Sequence, residues 1–275
     1  MKKVNIQGVD YAYLEIGQGS TIVFAHGLFV DHSIFDLQIA VLQHYYHCIS
    51  VDLPGHGQSG CHTQEWTLDD LTVEMAEFLN HLKLEKVVFV GLSQGGMIGL
   101  RLASRYPHLV SKLVLVGTSA RAEFSERIPF WQETLNALVQ NSPTQREAMF
   151  HQIQQRILDS SWLANHPDEA KHERSIMMNH TPEGIQLATH AAVLTRQDIR
   201  NEIQNIVVPV LILVGENDRA TPPFLADEIR SLIPLSQLVM IPNAGHHLPL
   251  ESPQRMTDEI MAFITNNRSL SSRMN

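Results

Sequence analysis

Cysteine is nearly missing from this chain: Cys48 and Cys61 are the only two in 275 residues. They offer neither metal-ligand spacing nor a disulfide framework. Cys48, inside the apolar stretch Cys48-Ile49-Ser50-Val51, reads as a small buried hydrophobe. Long apolar runs are missing too. None approaches the roughly 18 residues that a membrane helix needs, and Met1–Gln7 alternates polar with apolar residues where a signal peptide would be continuously apolar. A cytoplasmic protein with no membrane partner is expected. Basic charge is in short supply, with 20 Lys and Arg against 29 Asp and Glu and a net charge of -9. That balance argues against a general nucleic-acid or anionic-membrane role, since both want a basic face. No metal cluster, dinucleotide fingerprint, internal repeat or low-complexity segment appears, so neither a metal nor a cofactor is expected.

What is present is ordinary for a globular protein, with 44% hydrophobic and 18% charged residues. The length suits one large domain with room for an inserted sub-domain. Strand-like stretches open the chain at Val4–Gln7 and Tyr11–Ile16, followed by a turn signal at Gly17-Gln18-Gly19. Thr21–Ala25 is a nearly continuous apolar run ending at His26-Gly27, the pattern of a strand covered on both faces. Similar runs recur at His47–Val51, Lys86–Val90, Lys112–Val116, Pro209–Val214 and Leu238–Ile241. Between them, Thr67–Leu82 repeats apolar residues at close to a 3.6-residue period, and Thr67 before Leu68-Asp69-Asp70 is a capping-box start. Gln94–Tyr106 reads as a second helix, stopped by Pro107. The alternation predicts an α/β fold with a mostly parallel central sheet flanked by helices.

The alternation breaks between Ser119 and Asn205, where helical patterns punctuated by Pro129, Pro143, Pro167 and Pro182 contain no strand run. A structureless loop of that length is implausible in a compact domain. The expected organisation is a core of residues 1–118 and 206–275 with a helical cap at 119–205 inserted in it. The polar tail Asn267–Asn275 is expected to fray.

Gly91-Leu92-Ser93-Gln94-Gly95 fits G-x-S-x-G, directly after the strand Val87–Val90 and directly before a helix. That is the setting of a nucleophile elbow, a turn that strains the serine and needs small neighbours such as Gly91, Gly95 and Gly96. A serine hydroxyl also needs a base. Of 15 histidines, His246 stands out because Pro242-Asn243-Ala244-Gly245-His246 follows the last strand run, at the end where α/β sheets place reactive groups. His247 is the adjacent competitor. The acid that orients the imidazole is expected in Gly215-Glu216-Asn217-Asp218, after another strand, with Asp218 ahead of Glu216. The oxyanion needs two donors. Gln94 N–H is one, and the loop His26-Gly27-Leu28-Phe29 supplies the other through Leu28 N–H. His26 itself reads as a residue that fixes this loop.

Across nearly its whole length the chain resembles the cofactor-independent α/β-hydrolase family. The resemblance rests on His26-Gly27, the turn Asp52-Leu53-Pro54-Gly55-His56-Gly57-Gln58-Ser59, the elbow, Gly215-Glu216-Asn217-Asp218 and Gly245-His246 with Glu251-Ser252-Pro253. The order Ser93, Asp218, His246 is that of the family's triad. Gly91–Gly99 followed by Leu113–Ser119 is most similar to the enol-lactonases of 3-oxoadipate metabolism, and also to carboxylesterases and carbon–carbon bond hydrolases. Gln94 stands where methionine is commoner in the lactonases. Relatives that use an aspartate nucleophile are set aside by Ser93. The resemblance implies a serine hydrolase of small to medium carboxylic esters or lactones working through an acyl-enzyme. An enol-lactonase, a carbon–carbon hydrolase and a hydrolase-like small-molecule receptor are the alternatives. It leaves the oligomeric state open.

Substrate choice is expected to lie in the insertion, because the sheet supplies only the reactive end. Phe29, Trp131 and Met177 are the expected substrate-contacting residues, with Phe124, Phe130, Met149, Trp162 and Met178 as further candidates for an apolar wall. From Arg121 to Arg200 there are 8 basic and 10 acidic residues. No basic cluster therefore announces a large anionic group, although Arg121, Arg127 or Arg196 could hold a small carboxylate.

Overall fold

The computed structural model describes residues 1–140 and 142–265, so the expectation for the Asn267–Asn275 tail lies outside the described residues. Eight strands make one sheet: β1 (Lys2–Ile6), β2 (Val9–Ile16), β3 (Thr21–Ala25), β4 (His47–Val51), β5 (Val87–Leu92), β6 (Val110–Val116), β7 (Val210–Gly215) and β8 (Ser236–Ile241). Their spatial order is β1-β2-β4-β3-β5-β6-β7-β8. The β1–β2 and β2–β4 pairs are antiparallel and the remaining pairs are parallel.

The helices, in chain order, are α1 (Asp36–Leu42), α2 (Leu68–His81), α3 (Gln94–Arg105), α4 (Ile128–Gln140), α5 (Pro143–Ile157), α6 (Ser160–Asn165), α7 (Pro167–Asn179), α8 (Pro182–Thr189), α9 (Arg200–Ile203), α10 (Pro223–Leu232), α11 (Leu248–Glu251) and α12 (Pro253–Thr265). The Thr67 capping box is present at the start of α2, where the Thr67 hydroxyl accepts from Asp70 N–H and the Asp70 carboxylate accepts from Thr67 N–H.

Side-chain alternation divides the core between the two faces of the sheet. Ile22 and Phe24 of β3 and Val88 and Val90 of β5 pack with Ile39, Leu42, Met256 and Ile260 of α1 and α12. Val23, Ala25, Val87 and Phe89 point the other way, toward Leu71, Phe78, Ile98 and Ile229 of α2, α3 and α10. Both faces being covered explains why these strands read as continuous apolar runs. Between β6 and β7 the described chain is helical throughout its regular structure, from α4 to α9, with a π-helical turn at His190–Leu194.

The strand register sets the level of the site. Ala25 pairs with Gly91, Gly91 with Leu115, and Leu115 with Ile212, so β3, β5, β6 and β7 end at one height. β3 has β4 on one side and β5 on the other. Strand order reverses there, and a crevice opens beyond the carboxyl ends. The start of α3 enters this crevice at very close range: Gly95 N–H donates to His26 O at 3.1 Å, and a Cβ on Gly95 would lie 2.0 Å from Ala25 O. Since that neighbour is backbone, Gly95→Ala should cost about 4 kcal/mol or more, the range reserved for mutations the fold cannot absorb. Gly60→Ala, whose Cβ would meet nothing nearer than 3.3 Å, should cost about 1 kcal/mol or less. Chemical denaturation of the two variants checks the ranking.

Candidate active site

Ser93 sits between β5 and α3 with φ 50° and ψ -109°, a conformation that costs a non-glycine residue energy and that only the surrounding packing can hold. Its N–H donates to Val116 O at 2.8 Å and its carbonyl accepts from the Thr118 hydroxyl at 2.7 Å. The serine is thus clamped to the end of β6 on both sides of its Cα. Gln94, the first residue of α3, has an N–H with no intrahelical acceptor available.

Across the crevice, the loop after β3 is held by three buried histidines. His26 is fully buried; its Nδ1–H donates to Gly27 O at 2.7 Å and its Nε2 accepts from Leu53 N–H at 2.9 Å. His56 Nε2 accepts from Phe29 N–H at 3.3 Å, and His180 Nε2–H donates to Phe29 O at 2.9 Å. The rings pack edge to face, with centroids 4.9 Å apart for His26 and His56 and 5.1 Å apart for His56 and His180. Burial drives all three imidazoles toward neutrality: His26 below its ordinary value, His56 well below, and His180 down to about 4. Phe29, pinned through both its N–H and its C=O, takes φ 69°. Leu28 N–H, one residue before, has no hydrogen-bond partner among the described residues. His26 fixes the loop, while His56 and His180 share that work without having announced it in sequence.

The third group comes from the loops after β7 and β8. His246 Nδ1–H donates to Asp218 Oδ2 at 2.8 Å, with both side chains buried. Asp218 Oδ2 also accepts from the Thr221 hydroxyl at 2.9 Å, and Oδ1 accepts from the N–H groups of Ala220 and Thr221, each at 2.9 Å. These bonds fix the orientation of both carboxylate oxygens. Glu216 is exposed and its nearest polar link is to Asn243 N–H at 3.4 Å, so it plays no part beside His246. Gly117, at φ 48°, passes directly beneath the pair. A Cβ there would stand 3.0 Å from both Asp218 Oδ2 and His246 Nδ1. Nothing in the sequence reading pointed to Gly117; its place just after the β6 run is the available signal.

His247, whose ring lies 5.4 Å from that of His246, pairs with Glu173 of α7, both buried. Burial alone would lower the His247 pKa, but the charge and hydrogen bond of Glu173, with Glu251 and Asp218 nearby, raise it. Glu251 accepts from the N–H groups of Asp159 at 2.7 Å, Gly245 at 2.8 Å and His247 at 2.9 Å. His246 N–H donates to Ile157 O at 2.8 Å. The histidine loop is therefore tied to the α5–α6 junction by several backbone links.

Ser93, Gln94, Leu28 and His246 line one small cavity, together with Phe29 and Trp131. No hydrogen bond joins Ser93 Oγ to His246 among the described residues. Such bonds are often long before substrate binds. The Gln94 amide is buried and neither of its polar atoms has a protein partner, leaving two N–H donors and a carbonyl acceptor unmet beside Ser93. Of the expected substrate-contacting residues, Phe29 and Trp131 line the cavity and Met177 does not. Met177 is a correction: it is fully buried in the core with Phe150, Leu135 and Leu138. Its helix turns it inward, a direction that periodicity alone does not give. Phe124, Phe130, Met149, Trp162 and Met178 are also away from this cavity, whereas Arg127 and Arg196 line it and Arg121 pairs with Glu228 outside it.

Asp31, His32 and Asp52 are the one set of potential metal-ligating side chains that converge among the described residues. Three of their four carboxylate oxygens are already engaged. Asp52 accepts from His32 N–H, His32 Nδ1–H and Gln58 N–H, each at 2.8 Å, and Asp31 accepts from Ser33. This cluster shapes the turn after β4. No helix among the described residues is long and apolar enough to cross a membrane.

A family model described as alpha/beta hydrolase fold matches residues 20–253. A pimeloyl-[acyl-carrier protein] methyl ester esterase from Nitrosomonas europaea is 28% identical, covering 87% of this chain and 93% of its own. A 3-oxoadipate enol-lactonase from Acinetobacter baylyi is 24% identical, covering 94% of each. Among solved structures, a thermophilic esterase from Thermogutta terrifontis with malate bound superposes with TM-score 0.87 at 28% identity, over 96% of this chain and 98% of that one.

Two measurements check the placements above. Met177→Ala should cost about 2–5 kcal/mol of stability as a core truncation and leave ester chain-length preference unchanged, whereas Trp131→Ala should alter that preference. The His247–Glu173 pair sets a pH signature. A histidine whose folded pKa is raised contributes stability that is complete below the unfolded value of about 6.5 and is lost as pH rises through the higher folded value. In Glu173→Gln the buried imidazole is favoured neutral, so stability should instead fall as pH drops below about 6.5. Thermal midpoints measured across this window should slope in opposite directions for the two proteins.

Proposed function

This chain belongs to the alpha/beta hydrolase fold family, and we propose that it is a serine hydrolase of small to medium carboxylic esters or lactones. The observation that carries the reading is that one cavity joins Ser93, on its strained turn, to His246, whose other ring nitrogen is held by Asp218. Ser93 Oγ attacks the scissile carbonyl while His246 Nε2 takes its proton. Asp218 keeps the Nδ1–H tautomer and stabilises the imidazolium without itself becoming protonated. The tetrahedral oxyanion sits between the N–H groups of Gln94 and Leu28, donors that are in place before the charge develops. His246 then gives its proton to the departing alkoxide, leaving the acyl group on Ser93. Water, activated by the same imidazole, releases the acid. In a lactone the alkoxide stays attached to the acyl group, and the same steps open the ring.

The helices across residues 119–205 act as the cap in this reading. They contribute Arg127, Trp131, Ile153 and Val193 to the walls of the cavity, while the reacting groups stand on the sheet ends. Specificity and chemistry thus come from different stretches of chain.

Ser93→Ala should fold normally and lose about 10⁴-fold or more in kcat, as expected when one member of a group that acts as a unit is removed. A serine-directed phosphonate should add mass to the wild type and none to the variant; an active Ser93→Ala protein labelled elsewhere would overturn the assignment. Asp218→Asn should lower kcat by about 10⁴-fold through the wrong tautomer, while Glu216→Gln should leave it unaltered.

A further inference from the structure

The cavity at Ser93 has a volume of only about 60 Å³, well below the roughly 300–1,000 Å³ of small-molecule pockets. It accommodates a scissile carbonyl and little more. Against it lies a second cavity of about 420 Å³, within the range of roughly 300–1,000 Å³ typical of small-molecule pockets. Arg127, Trp131, Ile153, Ile157 and Ala220 line both, so these side chains form a shared partition.

The outer cavity is apolar along Phe130, Trp131, Ile153 and Ile157, and its charge is one-sided. Arg127, Arg156 and Arg219 face it against Glu126 alone, on a chain whose net charge is -9. The Arg156 guanidinium lies over the Phe130 ring, 4.4 Å from its centroid. Neither Arg156 nor Arg219 has an acidic partner at ion-pair distance among the described residues. Arg127 spends one nitrogen on Ala220 O at 3.1 Å and stands 3.7 Å from Glu123. The partition also holds a buried donor, Trp131 Nε1, with no partner in the protein. An apolar cavity edged by the exposed guanidinium groups of Arg156 and Arg219, neither of them paired with an acid, matches a short hydrocarbon spacer ending in an anion. Guanidinium forks fit the planar carboxylate best.

From this we infer that the outer cavity takes the end of the substrate remote from the scissile bond, and that this end carries a carboxylate. The inference rests on the serine-hydrolase reading, which places the carbonyl at Ser93. The substrate then threads the partition beside Trp131, with the reacting ester inside and the carboxylate among Arg127, Arg156 and Arg219. The cluster is invisible in a residue count because its members come from the start of α4, the end of α5 and the loop after β7.

The test compares matched p-nitrophenyl esters: the monoester of a short dicarboxylic acid against the ester of the monocarboxylic acid of equal length. A second pair carries the carboxylate on the alcohol side. In at least one pair the anionic member should be favoured in kcat/KM by about tenfold or more, the sum of a few partly exposed ion pairs. Carrying Arg156→Gln and Arg219→Gln together should abolish that preference. So should raising ionic strength from about 0.1 M to about 1 M, which shortens the screening length from about 10 Å to about 3 Å. Equal turnover within both pairs, or a preference that survives the double variant, overturns the inference. If the neutral ester is hydrolysed and Ser93 is labelled by phosphonate, the hydrolase reading stands regardless. If neither ester turns over, calorimetric binding of the same pairs to Ser93→Ala still decides. Tighter binding of an anionic member supports the inference and equal binding overturns it.

Discussion

The approach of the first turn of α3 to the ends of β3 and β5 is the constraint on which the rest of the site depends. With Gly95 pressed against Ala25 O, the chain must reverse direction between Leu92 and Gln94 in a single residue, and Ser93 absorbs the reversal at φ 50°. That one close packing event exposes the serine hydroxyl, leaves Gln94 N–H without an intrahelical acceptor, and ties the elbow to the β3 loop through the bond from Gly95 N–H to His26 O. The strain is offset by the burial of β5 and α3 on both sides of it, where nearly every residue from Val87 to Ala103 is inaccessible.

Legibility in the sequence followed the range of the interactions. Apolar strand runs, the Thr67 capping box and the strand–Gly-x-Ser-x-Gly–helix order are local, and the elements they imply lie where the residues placed them, within a residue or two at their ends. Ser93, Asp218 and His246 could be singled out because each stands in the connection that follows a strand run. What stayed hidden depends on distant pairing. His180 reaches Phe29 across 151 positions, Glu173 reaches His247 across 74, and Glu251 gathers N–H groups from two separate loops. Met177 illustrates the other limit. An apolar residue on an amphipathic helix faces some interior, and the pattern does not say whether that interior is a ligand cavity or the core.

Charge is managed differently on the two sides of the crevice. Beneath the loop after β3, burial outweighs the charges of Asp31 and Asp52 near His26 and His180 and drives His26, His56 and His180 toward neutrality. Each then offers one donor and one acceptor, which is what a loop with both N–H and C=O groups to satisfy requires. Beneath the histidine loop, acids are buried as well. Glu173 holds His247 toward its charged form, and Glu251, whose pKa is raised by burial, spends its oxygens on three backbone N–H groups.

The bond from His246 N–H to Ile157 O, with the Glu251 links to Asp159 and Gly245, has a mechanical meaning. The helical segment between β6 and β7 is not hung on the sheet by its two ends alone; its α5–α6 corner is riveted to the loop that carries the imidazole. A displacement of that corner would pull on the bond between His246 and Asp218. On the α4 flank, Arg127 ties the segment to the loop after β7 through Ala220 O. The segment is thus stitched to both loops that supply the His246–Asp218 pair, and the three move as one unit.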